Sequence, residues 1–269
     1  MIDLPRVAQR FRELRAALPW MDVRYDVSAL AHPALLSTLA AEGADFVVSH
    51  DAAVPALTRT GADPSRALYA VPGSRWPRRR AAWETGLRTF VVDHPRDLDE
   101  FASAPAGTGV LLRLDPAEAV EAARHAEALG VRVVGLSVRV RRGAATDELL
   151  DTVQDTVRMG ARLCAAIGRR LTLLDLGETL SGGPEHVAAL GRSLRSLVAP
   201  ATSHVTVVAS AGRAVAADAI TIVAGPTERY ADAATASTYI DAGADVVVLR
   251  RRRRLPRPAR ARSTWSPAG

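Results

Sequence analysis

The sequence has 269 residues, of which 48% are hydrophobic and 4% aromatic, so one large core built mostly from Ala, Val and Leu is expected. The formal net charge is +6, but residues 250–269 hold eight arginines and no acid, which leaves residues 1–249 with 27 arginines against 29 acidic residues. This distribution excludes an evenly basic, nucleic-acid-binding surface. The single cysteine of the sequence excludes an internal disulfide. The lack of a signal-peptide profile or a long apolar run predicts a cytoplasmic protein without a membrane span.

Runs of β-branched and aliphatic residues alternate with stretches whose apolar residues recur at helical spacing. Strands are predicted at 23–30, 46–48, 67–71, 89–92, 110–114, 131–140, 171–175 and 205–209. Helices are predicted at 5–17, 33–41, 54–57, 81–84, 97–101, 116–129, 149–167 and 184–197. Near-continuous Val and Leu runs are typical of parallel strands buried on both faces. Eight such strands predict an α/β fold, a (β/α)8 TIM barrel, with an open doubly wound sheet as the alternative.

The composition divides the chain into three parts. Residues 1–225 are expected to form the barrel, and residues 226–249 a residual helix and strand. Residues 250–269 combine arginine with proline and offer no apolar face, which predicts a disordered tail.

The first predicted strand carries a motif. Tyr25-Asp26-Val27-Ser28-Ala29-Leu30 resembles the Tyr-Ala-Val-Lys-Ala-Asn segment of the fold-type III pyridoxal-phosphate decarboxylases, the ornithine, lysine and diaminopimelate group. The resemblance runs from about residue 3 to about residue 218 and implies an alanine-racemase-like barrel. In that family the lysine at the fourth place forms the Schiff base with the cofactor, and here that place is Ser28. A hydroxyl cannot form an imine, and none of the 269 residues is a lysine.

Two further positions of the family's cofactor site differ. The segment that ends at Arg139 matches the one whose histidine stacks on the cofactor ring. The segment Ala209-Ser210-Ala211-Gly212-Arg213 matches a Glu-Pro-Gly-Arg motif whose glutamate holds the pyridine nitrogen, a role that Ser210 cannot fill. The resemblance implies that Ser28, Arg139 and Ser210 are vestigial site positions and that no catalytic residue remains. No cofactor is expected, although the resembled family uses pyridoxal phosphate.

Some anion-binding features are retained. The segment around Gly177 matches the family's Asp-Ile-Gly-Gly-Gly phosphate loop and keeps one of its three glycines, while Glu178 would repel a phosphate. Gly212 and Arg213 remain after strand eight, and Arg113 stands at the end of strand five. We expect Gly177, Gly212, Arg213 and Arg113 to bind a small anion at the barrel mouth. The six histidines are never paired at i, i+4, so no metal site is predicted.

Three functions stay open at this point. The first is a non-catalytic pseudoenzyme of amino-acid or polyamine metabolism that regulates or assembles with an active relative, as a homodimer or as a mixed dimer with a full-length decarboxylase homologue. The second is a repurposed enzyme that uses the charged barrel mouth without pyridoxal phosphate. The third is a truncated or frame-disrupted remnant, which the arginine run after Leu249 suggests and in which the family's C-terminal β-barrel domain is expected to be lacking. We favour the first. We expect apolar surface at 214–224 and 244–249, including Val215, to be exposed, so that these residues either pair with each other beside the barrel or dock on a partner.

Overall fold

The computed structural model of the chain describes residues 2–140, 144–180, 184–199 and 204–219, together with the backbone of two short strands at 238–241 and 246–249. The chain separates into two compact units, one of residues 2–220 and one that contains residues 221–269. The helix expected after residue 226 and the arginine-rich tail at 250–269 lie outside the described residues.

The larger unit is a closed barrel of eight parallel strands. The strands are β1 (Asp22–Asp26), β2 (Phe46–Val48), β3 (Leu68–Tyr69), β4 (Thr89–Val92), β5 (Gly109–Leu112), β6 (Arg132–Ser137), β7 (Leu173–Asp175) and β8 (Thr206–Ser210). Each strand pairs with its neighbours in chain order, and β1 also pairs with β8, which places Val23 opposite Ala209 and closes the ring. The predicted (β/α)8 barrel is confirmed, and an open sheet is excluded.

Helices alternate with the strands and cover the outside of the barrel. Within the described residues they are α1 (Leu4–Ala17), α2 (Pro33–Ala41), α3 (Val54–Thr58), α4 (Trp76–Glu84), α5 (Leu98–Phe101), α6 (Pro116–Ala128), α7 (Thr146–Ile167), α8 (Pro184–Val198) and α9 (Gly212–Ala216). Local chemistry sets their ends. The carboxylate of Asp3 accepts a hydrogen bond from the backbone N–H of Arg6 at 3.0 Å, which caps α1. Helix α7 ends at Gly168, whose φ of 68° favours glycine.

Alternation along the strands divides the apolar side chains into two sets. One set, which includes Tyr25, Phe46 and Phe90, joins the apolar faces of the helices in the main core. The other set fills the interior of the barrel and consists of Val47, Leu68, Ala70, Val91, Leu111 and Val134. Because both faces of the sheet are buried, the strands read as continuous apolar runs in the sequence.

Strand β1 is shorter than the sequence predicts. The strand expected over residues 23–30 ends at Asp26, and Val27–Ala29 form one turn of 3-10 helix. The cause is local, because the Asp26 carboxylate accepts a hydrogen bond from the backbone N–H of Ser28 at 2.9 Å and turns the chain. Ser28 therefore lies in this turn, just beyond the strand.

Two other strands end early for a different reason. The strand expected to reach residue 140 ends at Ser137, and the one expected to reach residue 114 ends at Leu112. Val138 is still buried in the main core, so the apolar pattern continues past the last strand pairing. Arg113 and Arg139 consequently lie in the loops at the carboxyl ends of β5 and β6.

Helix α4 begins before residue 81, where the sequence predicts its start. Its buried face includes Arg79, which is only 2% exposed. Because this buried residue is charged, apolar spacing in the sequence does not indicate the first turns of the helix. The Arg79 guanidinium pairs with Asp97 at 2.6 Å and Glu100 at 2.7 Å. Burial works to lower the pKa of Arg79, but the two carboxylates outweigh it and raise that pKa. The buried charge is thus compensated, and it ties α4 to α5.

The apolar residues expected to face a partner do not all do so. Val215 is fully buried, because α9 packs against α1 and β1, and the expected exposure is wrong at this residue. Residues 220–224 and 244–245 lie outside the described ones. In the smaller unit, β9 (Thr238–Asp241) and β10 (Val246–Leu249) form an antiparallel pair.

Candidate functional site at the barrel mouth

The interior of the barrel is apolar in its middle and becomes polar where the strands end. Val91 and Leu111 lie in the interior cluster. Asp93 and Arg113 stand two places further along the chain, directly after the last residues of β4 and β5, and continue the inward-facing series. The carboxyl ends of parallel barrel strands form the face at which ligands of such barrels bind. This face is the candidate site.

At β1 and β2 the polar groups satisfy one another. Ser28 Oγ accepts a hydrogen bond from the backbone N–H of Ser49 at 3.2 Å, and Ser49 Oγ donates to Asp26 Oδ2 at 2.6 Å. Asp26 is buried and also receives the N–H of Ser28. The three residues form a closed network in which the Ser28 hydroxyl is already engaged.

Gly212, at the start of α9, packs directly on this network. A Cβ atom at this position would lie 2.7 Å from Ala29 Cβ, 3.1 Å from Asp26 Cβ and 3.2 Å from the Asp26 carbonyl oxygen. Close packing is therefore enough to require a glycine here. Ser210, buried at the end of β8, donates its backbone N–H to the Gly177 carbonyl at 2.9 Å.

At β6 and β7 a carboxyl group is buried inside the mouth. Asp175 is 1% exposed, and it accepts hydrogen bonds from Ser137 Oγ at 2.7 Å and from the backbone N–H of Gly177 at 2.9 Å. Burial raises the pKa of Asp175 above its ordinary value, although both hydrogen bonds oppose the rise. Gly177 has a φ of 66°, which suits a glycine, and its N–H is directed to the protein's own carboxyl group.

Two arginines at the mouth pair with carboxylates. Arg213 Nε lies 2.8 Å from Glu178 Oε1. Arg113 donates two parallel hydrogen bonds to the Asp93 carboxylate, from Nε at 2.6 Å and from an Nη at 2.8 Å. Each of these two arginines thus has its own counter-ion.

Arg139 is placed differently. Its side chain is 59% exposed, and it donates to the Arg113 carbonyl oxygen at 2.8 Å. Its nearest carboxylate oxygen among the described residues is Oδ1 of Asp93 at 3.9 Å, an atom that already holds Arg113. Arg139 therefore brings a positive charge to the mouth that no close carboxylate neutralises within the described part of the chain.

A further polar cluster lies at the ends of β2 and β3. Tyr69 donates its hydroxyl to Asp51, which also receives Ser74 at 3.3 Å and Arg78 at 2.9 Å. Burial works to raise the pKa of Asp51, but the hydrogen bonds from Tyr69, Arg78 and Ser74 outweigh it and hold that pKa below its ordinary value. Burial, together with the Asp51 carboxylate, raises the pKa of Tyr69. His50 caps the turn before this cluster by accepting the N–H of Ala52 at 3.2 Å.

A cavity of about 680 Å³ opens at the mouth. Four of the predicted site residues line it: Arg113, Arg139, Gly177 and Arg213. Three do not: Ser28, Ser210 and Gly212. The structure therefore brings together three of the four residues expected to bind an anion. Arg113 and Arg213 each lie beside a carboxylate, and the Gly177 N–H donates to Asp175. Anion binding stays a prediction.

Two of the polar lining residues, Asp93 and Thr179, are not among the predicted site residues. The sequence could have indicated Asp93, because it stands two places after the interior residue Val91 and strand alternation directs it to the same side. Thr179 belongs to the segment that resembles the phosphate loop, but the place of its hydroxyl depends on the path of the loop after Gly177. The Thr179 hydroxyl is buried, with the residue 7% exposed, and it has no hydrogen-bond partner among the described residues.

The described residues offer neither a metal site nor a membrane-spanning helix. No group of three or more His, Cys, Asp or Glu side chains in this part of the chain is arranged to hold a metal ion. Within the same residues, every helix is too short or too polar to cross a bilayer.

The closed ring of parallel strands and its polar mouth define a (β/α)8 barrel with a candidate ligand site at its strand ends. Residues 4–125 match the family model for the pyridoxal-dependent decarboxylase, pyridoxal binding domain. With the relatives described next, this match shows that the barrel is similar to the fold-type III pyridoxal-phosphate decarboxylases.

Similar proteins share the barrel but are longer. The chain is 29% identical over 169 residues to a lysine/ornithine decarboxylase of Selenomonas ruminantium, covering 62% of this chain and 40% of that protein. It is 28% identical over 240 residues to an ornithine decarboxylase of Neurospora crassa, covering 82% of this chain and 49% of that protein. The crystal structure of a lysine/ornithine decarboxylase complexed with putrescine from Vibrio vulnificus has the same fold, with a TM-score of 0.77 at 23% identity, over 89% of this chain and 70% of that one. The chain spans about half or less of the length of these curated relatives.

The groups at the mouth do not fit pyridoxal phosphate held as an imine. The chain contains no amine side chain to form one, and Ser28 is engaged with Ser49. The donors that the resemblance assigns to the phosphate are occupied too, since the Gly177 N–H meets Asp175 and Arg213 meets Glu178. A phosphate dianion would also lie beside the Glu178 carboxylate.

Proposed function

We propose that this barrel is a non-catalytic member of the decarboxylase family that acts as a regulatory or assembly partner of a full-length homologue. The observation that carries the proposal is Ser28, which stands where the resemblance puts the Schiff-base lysine, in a chain without any lysine. An imine with an aldehyde cofactor requires an amine nucleophile, so the family's chemistry has no starting point here.

The geometry around Ser28 supports the proposal. The serine is one member of a satisfied network with Asp26 and Ser49, and Gly212 packs against that network with no room for a Cβ atom. A side chain without a hydroxyl at residue 28 would lose the hydrogen bond that Ser28 Oγ accepts from the Ser49 N–H. The proposal is thus supported by a packed arrangement and by more than one substituted residue.

The partner is inferred from the fold. The resemblance implies a dimer whose interface draws partly on the barrel, and this chain has all eight barrel strands in a closed ring. We infer that the chain takes the place of one protomer in a mixed dimer with a full-length decarboxylase homologue of the same cell. In that dimer it would alter the amount or the activity of the enzyme without catalysing the reaction itself.

A cofactor-binding experiment tests the first half of the proposal. After incubation with pyridoxal phosphate, the purified protein is expected to show no visible absorbance band that borohydride fixes to a side chain. The variant Ser28→Lys supplies one lysine, so any adduct in it maps to a known residue. It is not expected to decarboxylate ornithine, lysine or diaminopimelate, because Arg139, Glu178 and Ser210 remain. An adduct mapped to an internal side chain of the parent protein would contradict the proposal.

An association experiment tests the second half. The chain is co-expressed with the intact decarboxylase of its host, and the mixture is separated by size-exclusion chromatography with light scattering. We expect a mixed dimer, and a decarboxylase activity that changes as the chain is added. The association would be contradicted by a compact monomer at every concentration that neither co-elutes with the decarboxylase nor changes its activity. The repurposed enzyme and the remnant would then be the remaining hypotheses.

The repurposed enzyme is the second candidate because the cavity at the mouth is large and charged. A volume of about 680 Å³ lies within the usual range of small-molecule sites, and Asp93, Arg113, Glu178 and Arg213 line it. If this candidate holds, turnover of a small substrate without pyridoxal phosphate should be lost in Glu178→Gln. The same substitution should not change the association with a homologue.

A further inference from the structure

The two sheets of the chain differ in their edges. In the barrel each of the eight strands pairs with a neighbour on both sides, so that sheet has no free edge. In the smaller unit, β9 and β10 pair only with each other among the described residues, which leaves one edge of each strand without a strand partner. A two-stranded sheet is marginally stable in water, and an unpaired edge is a template for a further strand.

Strand β10 is the better of these two edges for pairing. It is the run Val-Val-Val-Leu at Val246–Leu249 and contains no charge, proline or glycine. Edge strands in natural proteins usually carry charges or proline, which discourage pairing with another chain. Strand β9 has such a charge at Asp241, which stands in register with Val246. Because β-branched residues favour strand pairing, the sequence of β10 suits a strand with a neighbour on each side.

The charges that flank β10 in the sequence select its partner. Asp245 directly precedes the strand and Arg250 directly follows it. Antiparallel pairing of β10 with its own copy brings Val247 opposite Val248. It also brings Asp245 of each chain opposite Arg250 of the other, so opposite charges meet at both ends. Parallel pairing would place like charges opposite each other, which is destabilising.

The arginine run gives a second reason for the antiparallel direction. Residues 250–254 are all arginine. In a parallel pair the runs of the two chains would start side by side and repel each other. In an antiparallel pair they leave from opposite ends of the new sheet. The pattern is therefore self-complementary in one direction only.

We propose that β10 is a self-association edge, at which two copies of this chain pair antiparallel and form one four-stranded sheet. The two β10 strands lie in the middle of this sheet, and β9 of each copy lies at an outer edge. The same residues contribute on both sides of a two-fold axis. Main-chain hydrogen bonds hold the strands together, and Asp245 and Arg250 fix their direction and register. The proposal does not rest on the mixed dimer with a homologue.

The test is sedimentation equilibrium of the full chain alone, at about 1–500 µM, the range of weak interfaces. A monomer–dimer equilibrium is expected. Asp245→Arg and Arg250→Asp should each raise its Kd by about tenfold, because each brings like charges together at both ends. Arg253→Asp is the matched control. It changes the net charge by the same amount outside the paired positions and should leave the Kd within about twofold of the parent value.

Charge exchange makes the test specific. An equimolar mixture of Asp245→Arg and Arg250→Asp should form a mixed dimer about as tight as that of the parent, because each variant supplies the charges that the other lacks. The double variant that carries both substitutions should self-associate as the parent does, since opposite charges again meet in the antiparallel pair.

Cysteine cross-linking measures the direction of pairing. In a Cys164→Ser background, Val247→Cys mixed with Val248→Cys should give a disulfide-linked dimer under mild oxidation, because opposite Cα atoms of antiparallel strands are about 4.5–5.5 Å apart. Each variant alone should give little product, since neighbouring positions of a strand belong to opposite faces.

Three results would overturn the proposal. A monomer at every concentration up to about 500 µM would assign the β10 edge to another part of this chain. Charge variants that change the Kd no more than Arg253→Asp does would remove the role of the flanking charges. Cross-linking of each cysteine variant by itself would exclude the antiparallel direction. Because this chain is measured alone, failure here is distinguishable from failure of the mixed dimer, which is measured with the homologue.

Discussion

Two sides of the barrel mouth have similar polar content and opposite organisation. The closed side, at β1, β2 and β8, consists of Asp26, Ser28, Ser49 and Gly212. The open side, at β4 to β7, consists of Asp93, Arg113, Arg139, Asp175 and Thr179. On the closed side, every hydrogen-bonding group named above meets another, and a glycine removes the remaining space. Among the described residues, the open side keeps a cavity, an arginine whose nearest carboxylate oxygen is 3.9 Å away, and a buried hydroxyl without a hydrogen-bond partner.

The difference shows that polar groups at the strand ends of one barrel can be organised in two ways. Where the resemblance places the imine, the chain has a small hydrogen-bonded network. Across the same ring, a cavity lined by charged residues remains open. What a barrel can bind is therefore decided separately at each set of strand ends.

The largest expected effect comes from filling the closed side. Gly212→Ala puts a Cβ atom 2.7 Å from Ala29 Cβ and 3.2 Å from the Asp26 carbonyl, so the turn after β1 must move. We expect a loss of about 1–3 kcal/mol in the free energy of unfolding, measured by urea denaturation.

Gly160→Ala is the matched control for this substitution. Gly160 lies inside α7, where the nearest atom to an added Cβ is 3.5 Å away, an ordinary contact. Alanine there should be neutral or stabilise by about 0.5–1 kcal/mol, because it favours the helix. Equal losses for the two variants would show that the closed side is no more tightly packed than a helix on the outside of the barrel.

The next effect concerns the buried carboxyl group of the open side. Because the folded-state pKa of Asp175 is raised, its contribution to stability is present below the ordinary pKa of 3.8 and is lost as the pH rises through the folded pKa. Asp175→Asn stays neutral and can keep the contacts to Ser137 and Gly177. At pH 7 we expect its free energy of unfolding, measured by urea denaturation, to exceed that of the parent by about 1.4 kcal/mol for each unit by which the pKa of Asp175 is raised. This gain should shrink towards pH 4.

Asp51→Asn should show the opposite pH dependence. The pKa of Asp51 is lowered, so its contribution is present above 3.8 and is lost as the pH falls through the folded pKa. The variant should therefore be less stable than the parent at pH 7 and approach it at low pH. If both variants changed stability in the same direction at pH 7, the assigned environments of the two carboxyl groups would be wrong.

The smallest expected effect is that of inorganic phosphate on the melting temperature. Arg213 can bind an anion only in competition with Glu178, which lies 2.8 Å away, so phosphate should raise the melting temperature of the parent only at millimolar concentration. Glu178→Gln removes the competing charge and should strengthen phosphate binding about threefold to tenfold. Arg213→Ala should abolish the effect. A phosphate effect that is the same in all three proteins would place the anion elsewhere.

The sequence predicts the barrel well because the barrel depends on repeated patterns. Apolar runs and helix stops recur along the chain, and predicted elements such as the helix at 33–41 and the strand at 89–92 match the structure. Strand ends were less predictable, since an apolar residue such as Val138 can be buried after strand pairing has ended. At Asp26 a side-chain hydrogen bond ends the strand, and apolar spacing carries no information about it.

The site is predictable in its members but not in their partners. The family motif leads to Arg139 and Arg213, and both line the cavity. That Arg213 pairs with Glu178 while Arg139 lacks a close carboxylate depends on how separate loops meet, which no local pattern encodes. Thr179 belongs to the same category, because an unpartnered hydroxyl is a property of the whole fold.

The closure of the ring has a consequence for how the protein is made. Asp22 on β1 pairs with Val208 on β8, so one edge of the first strand has no partner until nearly the whole barrel has left the ribosome. At about 5–20 residues per second, that edge stays open for roughly 10 to 40 s. A bare strand edge can recruit a wrong strand, and charged side chains discourage this. β1 is only five residues long and alternates Asp22, Arg24 and Asp26 along one face, so we expect these charges to protect the growing chain before they become the inner wall of the barrel.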